Sequence, residues 1–226
     1  MKTGQKADKP AASRVAKIEG KKIHYLTAGQ GPALILLHGY TQTSRMWRLL
    51  IDKLKDKFTV IAPDLPGIGD SDIPKDGCDM KTAAIRIHAL AKSLGVTKAR
   101  VVGHDIGLMV AYAYAAQFAA EVEKLVVMDA FLPGVQGWEL AYNADNMWHF
   151  RFHGPTPEAL VKGREKIISH TSGTIWLLIK GVRSPQPTVT RTSQHIRVQA
   201  ACVPAGPTLP PGRTRQMTSH KWPKRS

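Results

Sequence analysis

One short stretch combines an ionisable side chain with a turn that would expose it. In residues 101–110, V-V-G-H-D-I-G-L-M-V, an apolar run ends at Gly103 and an alanine-rich helical pattern begins at Gly107. A strand that turns sharply into a helix between two glycines lifts the middle side chain above the end of a sheet; this turn is called a nucleophile elbow. The lifted residue is Asp105, whose carboxylate is ionised at neutral pH and needs no base to attack an epoxide or carbon–halogen carbon. The alternative is an Asp that merely caps a helix.

The elements around this turn follow a regular alternation. Short apolar runs predict buried strands over residues 33–37, 59–62, 99–103 and 124–128, and helical spacing predicts helices between them, including one over 81–94. Residues 15–27 alternate around Gly20 and predict a hairpin of two edge strands. The alternation predicts an α/β fold with a mostly parallel sheet and helices on both faces. Ligands in such folds bind at the carboxyl ends of the strands, where His38, Asp64, Asp105 and Asp129 fall.

Length and composition narrow the class of protein. The 226 residues are enough for one domain with a core. Cys78 and Cys202 lie far apart and predict neither a disulfide framework nor a metal knuckle. No cofactor and no metal are expected. No apolar run is long enough to span a membrane, and the polar start carries no secretory signal. A cytoplasmic protein is expected, with a secreted or periplasmic parent left open.

The net charge of +15 is unevenly distributed. All 17 Asp and Glu lie in residues 1–167, whereas the last 59 residues hold nine Lys and Arg, no acid and no sustained period. A basic tail that binds nucleic acid is one interpretation. The chain has no aromatic interleaving and no groove-reading motif, so no nucleic-acid partner is expected. The preferred hypothesis is that residues from about 168 onward derive from a shifted reading frame, because a frame shifted by one base can encode amphipathic, acid-containing segments there.

Several motifs together resemble the α/β-hydrolase superfamily, in particular its branch of epoxide hydrolases and haloalkane or haloacetate dehalogenases. They are H-G-Y-T-Q-T (38–43), D-L-P-G-I-G-D-S (64–71), G-H-D-I-G (103–107), V-V-M-D-A (126–130) and W-H-F (148–150). The similarity covers roughly residues 18–167 and is greatest to bacterial epoxide hydrolases. It implies an α/β-hydrolase fold that is incomplete at its C-terminus. The expected organisation is a basic tail (1–13), the N-terminal part of the core (14–134), the start of a lid (135–167) and an aberrant basic tail (168–226).

The resemblance also implies roles for individual residues. Asp105 would be the nucleophile, and the backbone N–H groups of Tyr40 and Ile106 would form the oxyanion hole. Asp129 would be the charge-relay acid that orients a catalytic histidine, with a strand-end turn residue as the alternative. His149 would donate a hydrogen bond to the epoxide oxygen, with a core lid histidine as the alternative. The remaining motif residues would support loops: His38, Gly39, Gly103, His104 and Gly107.

The chain departs from the family pattern at two points. The family needs a histidine base late in the chain to activate water against the ester, and it usually has a lid tyrosine as a second ring-opening donor. Neither can be placed, since His195 and His220 lie in no recognisable motif. The sequence therefore predicts a truncated member that can form an alkyl ester at Asp105 and cannot release it. Loss of the last strands would expose a sheet edge, so we expect poor solubility or self-association.

Three functions follow from these observations. The first is hydrolysis of an epoxide to a diol through an aspartyl ester. The second is dehalogenation by the same Asp105; a haloacetate enzyme is expected to carry an Arg near the elbow, and residues 106–108 offer none, which favours the epoxide. The third is an inactive, truncated hydrolase fold or a basic-tailed binding module. The expected partner is a small-molecule substrate, an epoxide or an organohalide.

Overall fold

Six strands form one sheet in the order β1-β2-β4-β3-β5-β6. The computed structural model of the protein describes residues 10–77, 79–152, 155–164 and 167. The strands are β1 (Ala12–Ile18), β2 (Lys21–Ala28), β3 (Ala33–Leu37), β4 (Thr59–Pro63), β5 (Ala99–His104) and β6 (Val122–Met128). The helices are α1 (Arg48–Leu54), α2 (Met80–Ser93), α3 (Ile106–Gln117), α4 (Trp138–Asn143) and α5 (Pro155–Val161). Short 3₁₀ helices cover Ser44–Trp47, Ala119–Glu121 and Asp145–Phe150.

The sheet is parallel where the predicted site lies and antiparallel at its far end. Strands β4, β3, β5 and β6 run parallel, whereas β1 and β2 form an antiparallel hairpin and β2 also pairs with β4. The predicted α/β-hydrolase architecture is therefore confirmed. The prediction of two edge strands in the hairpin is wrong, because β2 is paired on both sides and β1 alone forms the edge. Strand β1 begins at Ala12, two residues before the predicted start of the core.

The centre of the sheet is buried on both faces, as the all-apolar run of β3 predicts. On one face Leu36 packs in a cluster with Ile51 of α1. On the other, Ile35 and Val101 pack with Ile87 of α2, in a cluster that also holds α3. Full burial of such a side chain stabilises the fold by about 1.5–3 kcal/mol relative to exposure. These contacts fix the strands whose ends carry the predicted site residues.

Strand β6 differs from its prediction as a buried strand. Leu125, Val126 and Val127 are 37%, 46% and 49% exposed. Within the described part of the chain, β6 pairs with β5 along one edge and packs against α3. An apolar run predicts that a strand is covered, but it does not encode what covers it. The prediction is therefore wrong for these residues, and the apolar surface of β6 is open among the described elements.

The register brings the carboxyl ends of three strands side by side. Leu37 of β3 pairs with Gly103 of β5, and His104 of β5 pairs with Met128 of β6. Residues that follow these positions consequently emerge at one edge of the sheet.

No helix in the described ranges is long and apolar enough to cross a membrane. Several predictions concern residues that lie outside the described ranges. They are the predictions for residues 1–9, for Cys78 and for 168–226, which include the shifted frame, His195 and His220.

Candidate active site

Asp105 occupies a strained turn between β5 and α3. Its φ is +54°, in a region that residues with side chains rarely adopt. A Cβ on Gly103 would lie 2.2 Å from the carbonyl oxygen of Gly107, and a Cβ on Gly107 would lie 2.5 Å from the carbonyl oxygen of Leu37. These approaches leave no room for a Cβ at positions 103 and 107, two residues before and two residues after Asp105. The requirement for glycine that the sequence suggested thus has a direct steric cause.

The Asp105 carboxylate is buried and faces a backbone donor. The residue is 9% exposed, and the Tyr40 N–H donates to its Oδ2 over 3.2 Å. Burial raises the pKa of the Asp105 carboxyl, while hydrogen bonds from the backbone of Tyr40 and Ile106 and the charge of His104 act to lower it. The two predicted oxyanion-hole donors, Tyr40 and Ile106, therefore both lie at the predicted nucleophile. This arrangement can hold negative charge on one carboxylate oxygen.

A hydrogen-bond network joins the Tyr40 loop to the elbow. The Gln42 side-chain carbonyl accepts from the Gly39 N–H over 2.9 Å and from His104 Nδ1 over 3.2 Å. A Cβ on Gly39 would lie 2.7 Å from the Asp105 Cβ, so the loop can approach only with glycine there. The Leu65 N–H donates to His38 Nε2 over 3.0 Å, which makes Nε2 an acceptor and leaves Nδ1 to donate to the Gly39 carbonyl. In these contacts the motif residues hold loops together.

Asp129 follows β6 and lies beside the elbow. Its Oδ2 is 3.5 Å from His104 Nε2, and its side chain is 42% exposed. The Asp105 N–H donates to the carbonyl of Met128 over 3.0 Å, which ties the elbow to the end of β6. The φ of Asp129 is +65°. The structure therefore brings the predicted acid next to the predicted nucleophile, with His104 as a neighbouring imidazole.

His149 reaches the site through Tyr40. It lies in the 3₁₀ helix Asp145–Phe150, and its ring centroid is 5.5 Å from that of Tyr40. The neighbouring Phe150 is buried in the core cluster, which anchors this segment. Burial lowers the pKa of the His149 imidazole. The predicted ring-opening donor is thus a neutral imidazole at neutral pH, packed against the oxyanion loop.

Asp64 has a role that its strand-end position did not reveal. It is 2% exposed, and its carboxylate accepts from His24 Nδ1 over 2.8 Å, from the Ser44 N–H over 2.7 Å and from the Asp70 N–H over 2.9 Å. Burial acts to raise the pKa of the Asp64 carboxyl, but these partners hold it below its usual range. Together His24, Asp64 and Asp70 have the spacing of a metal-ligand group. Both oxygens of Asp64 already accept hydrogen bonds from N–H groups. The cluster therefore has a structural role, because these hydrogen bonds join three segments of the chain.

Sequence reasoning missed the partners of two residues near the site. It placed Asp64 with the site residues and did not find His24, which lies 40 positions away. It assigned only the backbone of Tyr40 a role, and the contact between its ring and His149 spans more than 100 positions. The motif H-G-Y-T-Q-T contains both Tyr40 and Gln42. The sequence therefore pointed to these residues but not to the contacts that their side chains make.

Comparisons with known proteins identify the family of the chain. The family described as alpha/beta hydrolase fold matches residues 32–201. Over 146 residues the chain is 42% identical to soluble epoxide hydrolase of Corynebacterium sp. (strain C12), covering 63% of this chain and 51% of the relative. Over 157 residues it is 31% identical to fluoroacetate dehalogenase of Burkholderia sp., covering 66% of this chain and 52% of the relative.

A solved structure shows the same similarity in three dimensions. The epoxide hydrolase CorEH without ligand superimposes with a TM-score of 0.63 at 30% identity, covering 84% of this chain and 68% of that structure. The chain spans about half the length of these two curated relatives. The family match covers most of the chain and includes the loop of Tyr40, the elbow of Asp105 and the position of Asp129. The chain therefore belongs to the α/β-hydrolase family.

Proposed function

We propose that this chain carries the alkylation chemistry of an epoxide hydrolase, with Asp105 as the nucleophile. The observation that supports it best is the buried Asp105 carboxylate, presented by a strained elbow and held at Oδ2 by the Tyr40 N–H over 3.2 Å. The oxygen held by the loop becomes the ester carbonyl oxygen, and Oδ1 attacks the epoxide carbon. A new carbon–oxygen bond forms to Asp105 and the strained ring bond breaks. The ring oxygen takes a proton from a donor at the site, for which His149 is the predicted residue. The product is a hydroxyalkyl ester of Asp105.

Release of a diol requires a second step with different demands. Water must attack the ester carbonyl carbon, and the tetrahedral intermediate places its negative charge where the N–H groups of Tyr40 and Ile106 lie. A base must remove a proton from that water. Asp129 would orient the histidine that acts as this base. Because no motif of the sequence supplies a recognisable histidine for it, we expect the ester to accumulate.

The test is a mass measurement on the whole chain. The protein is incubated with 1,2-epoxyhexane, digested and analysed for the peptide that contains Asp105, while diol in solution is followed by chromatography. We expect one epoxide mass on that peptide and no steady diol. The D105N variant should gain no mass, and the peptide with the exposed Asp76 serves as an internal control for unspecific esterification. An unmodified Asp105 peptide would refute the proposed nucleophile, and steady diol would refute the expected accumulation.

Dehalogenation is the second candidate, supported by the similarity to a fluoroacetate dehalogenase. It uses the same attack by Asp105, with a halide as leaving group. A haloacetate also needs a cation for its carboxylate, and the residues after Asp105 are Ile106, Gly107 and Leu108. Parallel incubation with chloroacetate separates the two functions. A faster rate of Asp105 esterification by chloroacetate than by the epoxide would favour dehalogenation.

A further inference from the structure

Tyr40 offers two groups to the site, and only one of them has a role so far. Its backbone N–H donates to Asp105 Oδ2 over 3.2 Å. Its side chain is half-buried against the main core cluster, and its ring lies 5.5 Å from that of His149, tilted by 31°. The phenol therefore sits between the elbow and the predicted lid segment. Its hydroxyl is a group that the chemistry described above does not use.

Ring opening creates a demand for a proton at this place. When Asp105 attacks, the leaving oxygen would be a strongly basic alkoxide unless an acid protonates it in the transition state. The Asp105 carboxylate is the nucleophile and carries no proton. Burial lowers the pKa of His149, so its ring is neutral at neutral pH and donates an N–H without the driving force of an imidazolium. A stronger neutral acid beside His149 would fill this gap.

The electrostatics of Tyr40 suit such an acid. Burial and, second, the charge of Asp105 raise the pKa of the Tyr40 phenol to about 12. The phenol therefore keeps its proton throughout the neutral range, and the negative charge of Asp105 contributes to this. As Asp105 becomes a neutral ester, that charge disappears and transfer of the phenol proton becomes easier. Proton donation is thus coupled to the attack itself.

We propose that Tyr40 is a catalytic residue whose phenol protonates the epoxide oxygen during ring opening, in place of a second lid tyrosine. This inference rests on the proposed function of Asp105. The Asp105 Oδ1–carbon bond forms, the ring carbon–oxygen bond breaks, and the oxygen receives the Tyr40 proton to become a hydroxyl. The resulting phenolate takes a proton back from water. The Tyr40 N–H meanwhile holds the other carboxylate oxygen, so one residue acts on both ends of the reacting system.

The test compares two reagents of the same chain length, 1,2-epoxyhexane and 1-bromohexane. Both esterify Asp105, but bromide leaves without a proton. The Y40F variant keeps the ring against His149 and the backbone N–H, and it lacks only the hydroxyl. We expect Y40F to slow esterification by the epoxide by on the order of 100-fold, the usual contribution of a general acid, and to leave the rate with bromohexane unchanged. The matched control is Y112F, since Tyr112 lies on α3 and is 48% exposed.

Solvent isotope effects give a second readout. Esterification of the wild type by the epoxide should be slower in D₂O than in H₂O, and Y40F should lose that difference. An epoxide rate in Y40F equal to that of the wild type would overturn the role of Tyr40 while leaving Asp105 as the nucleophile. Equal slowing with both reagents, and an unchanged isotope effect, would show that the hydroxyl only supports the loop. A wild type that gains no mass at Asp105 from either reagent would overturn the proposed function, and this inference with it.

Discussion

Asp105 is the residue at which the chemistry and the stability of the fold oppose each other. Its carboxylate is buried, its φ is +54°, and burial raises its pKa. Folding therefore shifts the equilibrium of this carboxyl toward its protonated form, whereas the proposed reaction needs the ionised form. The D105N variant has nearly the same volume and tolerates the same backbone conformation. We predict that D105N is more stable than the wild type at pH 7.

The size and the pH dependence of the gain follow from the raised pKa. Each unit by which folding raises a pKa costs about 1.4 kcal/mol once the group is ionised. Single stabilising substitutions commonly contribute about 0.5–2 kcal/mol, and we expect D105N to fall in this range. A change of 1 kcal/mol shifts the Tm by about 2–4 °C in a chain of this size. The protonated form stabilises fully below the unfolded-state pKa of about 3.9. That contribution is lost as pH rises through the higher folded-state pKa, so the advantage of D105N should be present at neutral pH and should vanish near pH 4.

The assay is urea unfolding of both proteins from pH 4 to pH 8, followed by circular dichroism. The control is D76N, in which the same change is made at an exposed carboxylate. The side-chain hydrogen bond from Lys21 lowers the pKa of Asp76, so D76N should gain nothing at pH 7. Equal midpoints for D105N and the wild type at pH 7 would contradict the reasoning. So would an advantage of D105N that persists unchanged at pH 4.

Three further predictions concern the frame around the site. In G107A the new Cβ would lie 2.5 Å from the carbonyl oxygen of Leu37. This overpacking against the backbone should lower the free energy of unfolding by on the order of 3 kcal/mol. An unchanged urea midpoint would contradict the steric argument. D64N removes the charge that the ring of His24 contacts, and loss of one partner of such a buried pair costs on the order of 3 kcal/mol at neutral pH. Because the folded-state pKa of Asp64 is depressed, the stability that its ionised form contributes is present above about pH 3.9 and is lost in acid. The difference in free energy of unfolding between D64N and wild type should therefore shrink at low pH. A difference that stays constant with pH would refute the structural role of the ionised Asp64. In V127K a charge enters the surface of β6 that is open among the described elements, where Val127 is 49% exposed. Sedimentation should show less self-association than wild type at matched concentration, and the free energy of unfolding should change by only about 0.5 kcal/mol. Undiminished self-association would show that the contact between copies lies elsewhere.

Local patterns in the sequence were sufficient for most of the fold. The run of β3 was predicted with its observed bounds, and β5 was predicted to within one residue. Gly31 and Pro32 precede the run of β3, and Gly103 marks the turn at the end of β5. The elbow at Asp105 was also predictable, since its steric demand falls on adjacent residues. These features depend on neighbours in sequence, which a single chain displays directly.

What the sequence did not reveal depends on distant partners. Asp64 and Asp105 both follow buried strands, and only the folded chain shows that Asp64 is bonded by His24 and Asp105 by Tyr40. The exposure of β6 was missed for the same reason, because its composition is that of a covered strand. Candidate residues can therefore be placed at strand ends from the sequence, but their contacts across the sheet appear only in the folded chain.

Backbone strain separates the demands of function from those of folding. Outside glycine, four of the described residues have positive φ: Glu19, Thr41, Asp105 and Asp129. Glu19 belongs to the turn of the first hairpin, beside Gly20, whereas the other three follow β3, β5 and β6 at the candidate site. Glycine would fit each of these three positions with less strain, and such strain costs of order 1–3 kcal/mol per residue. Selection for stability alone would therefore favour glycine at these three positions, and it would remove the proposed nucleophile Asp105 and the proposed acid Asp129.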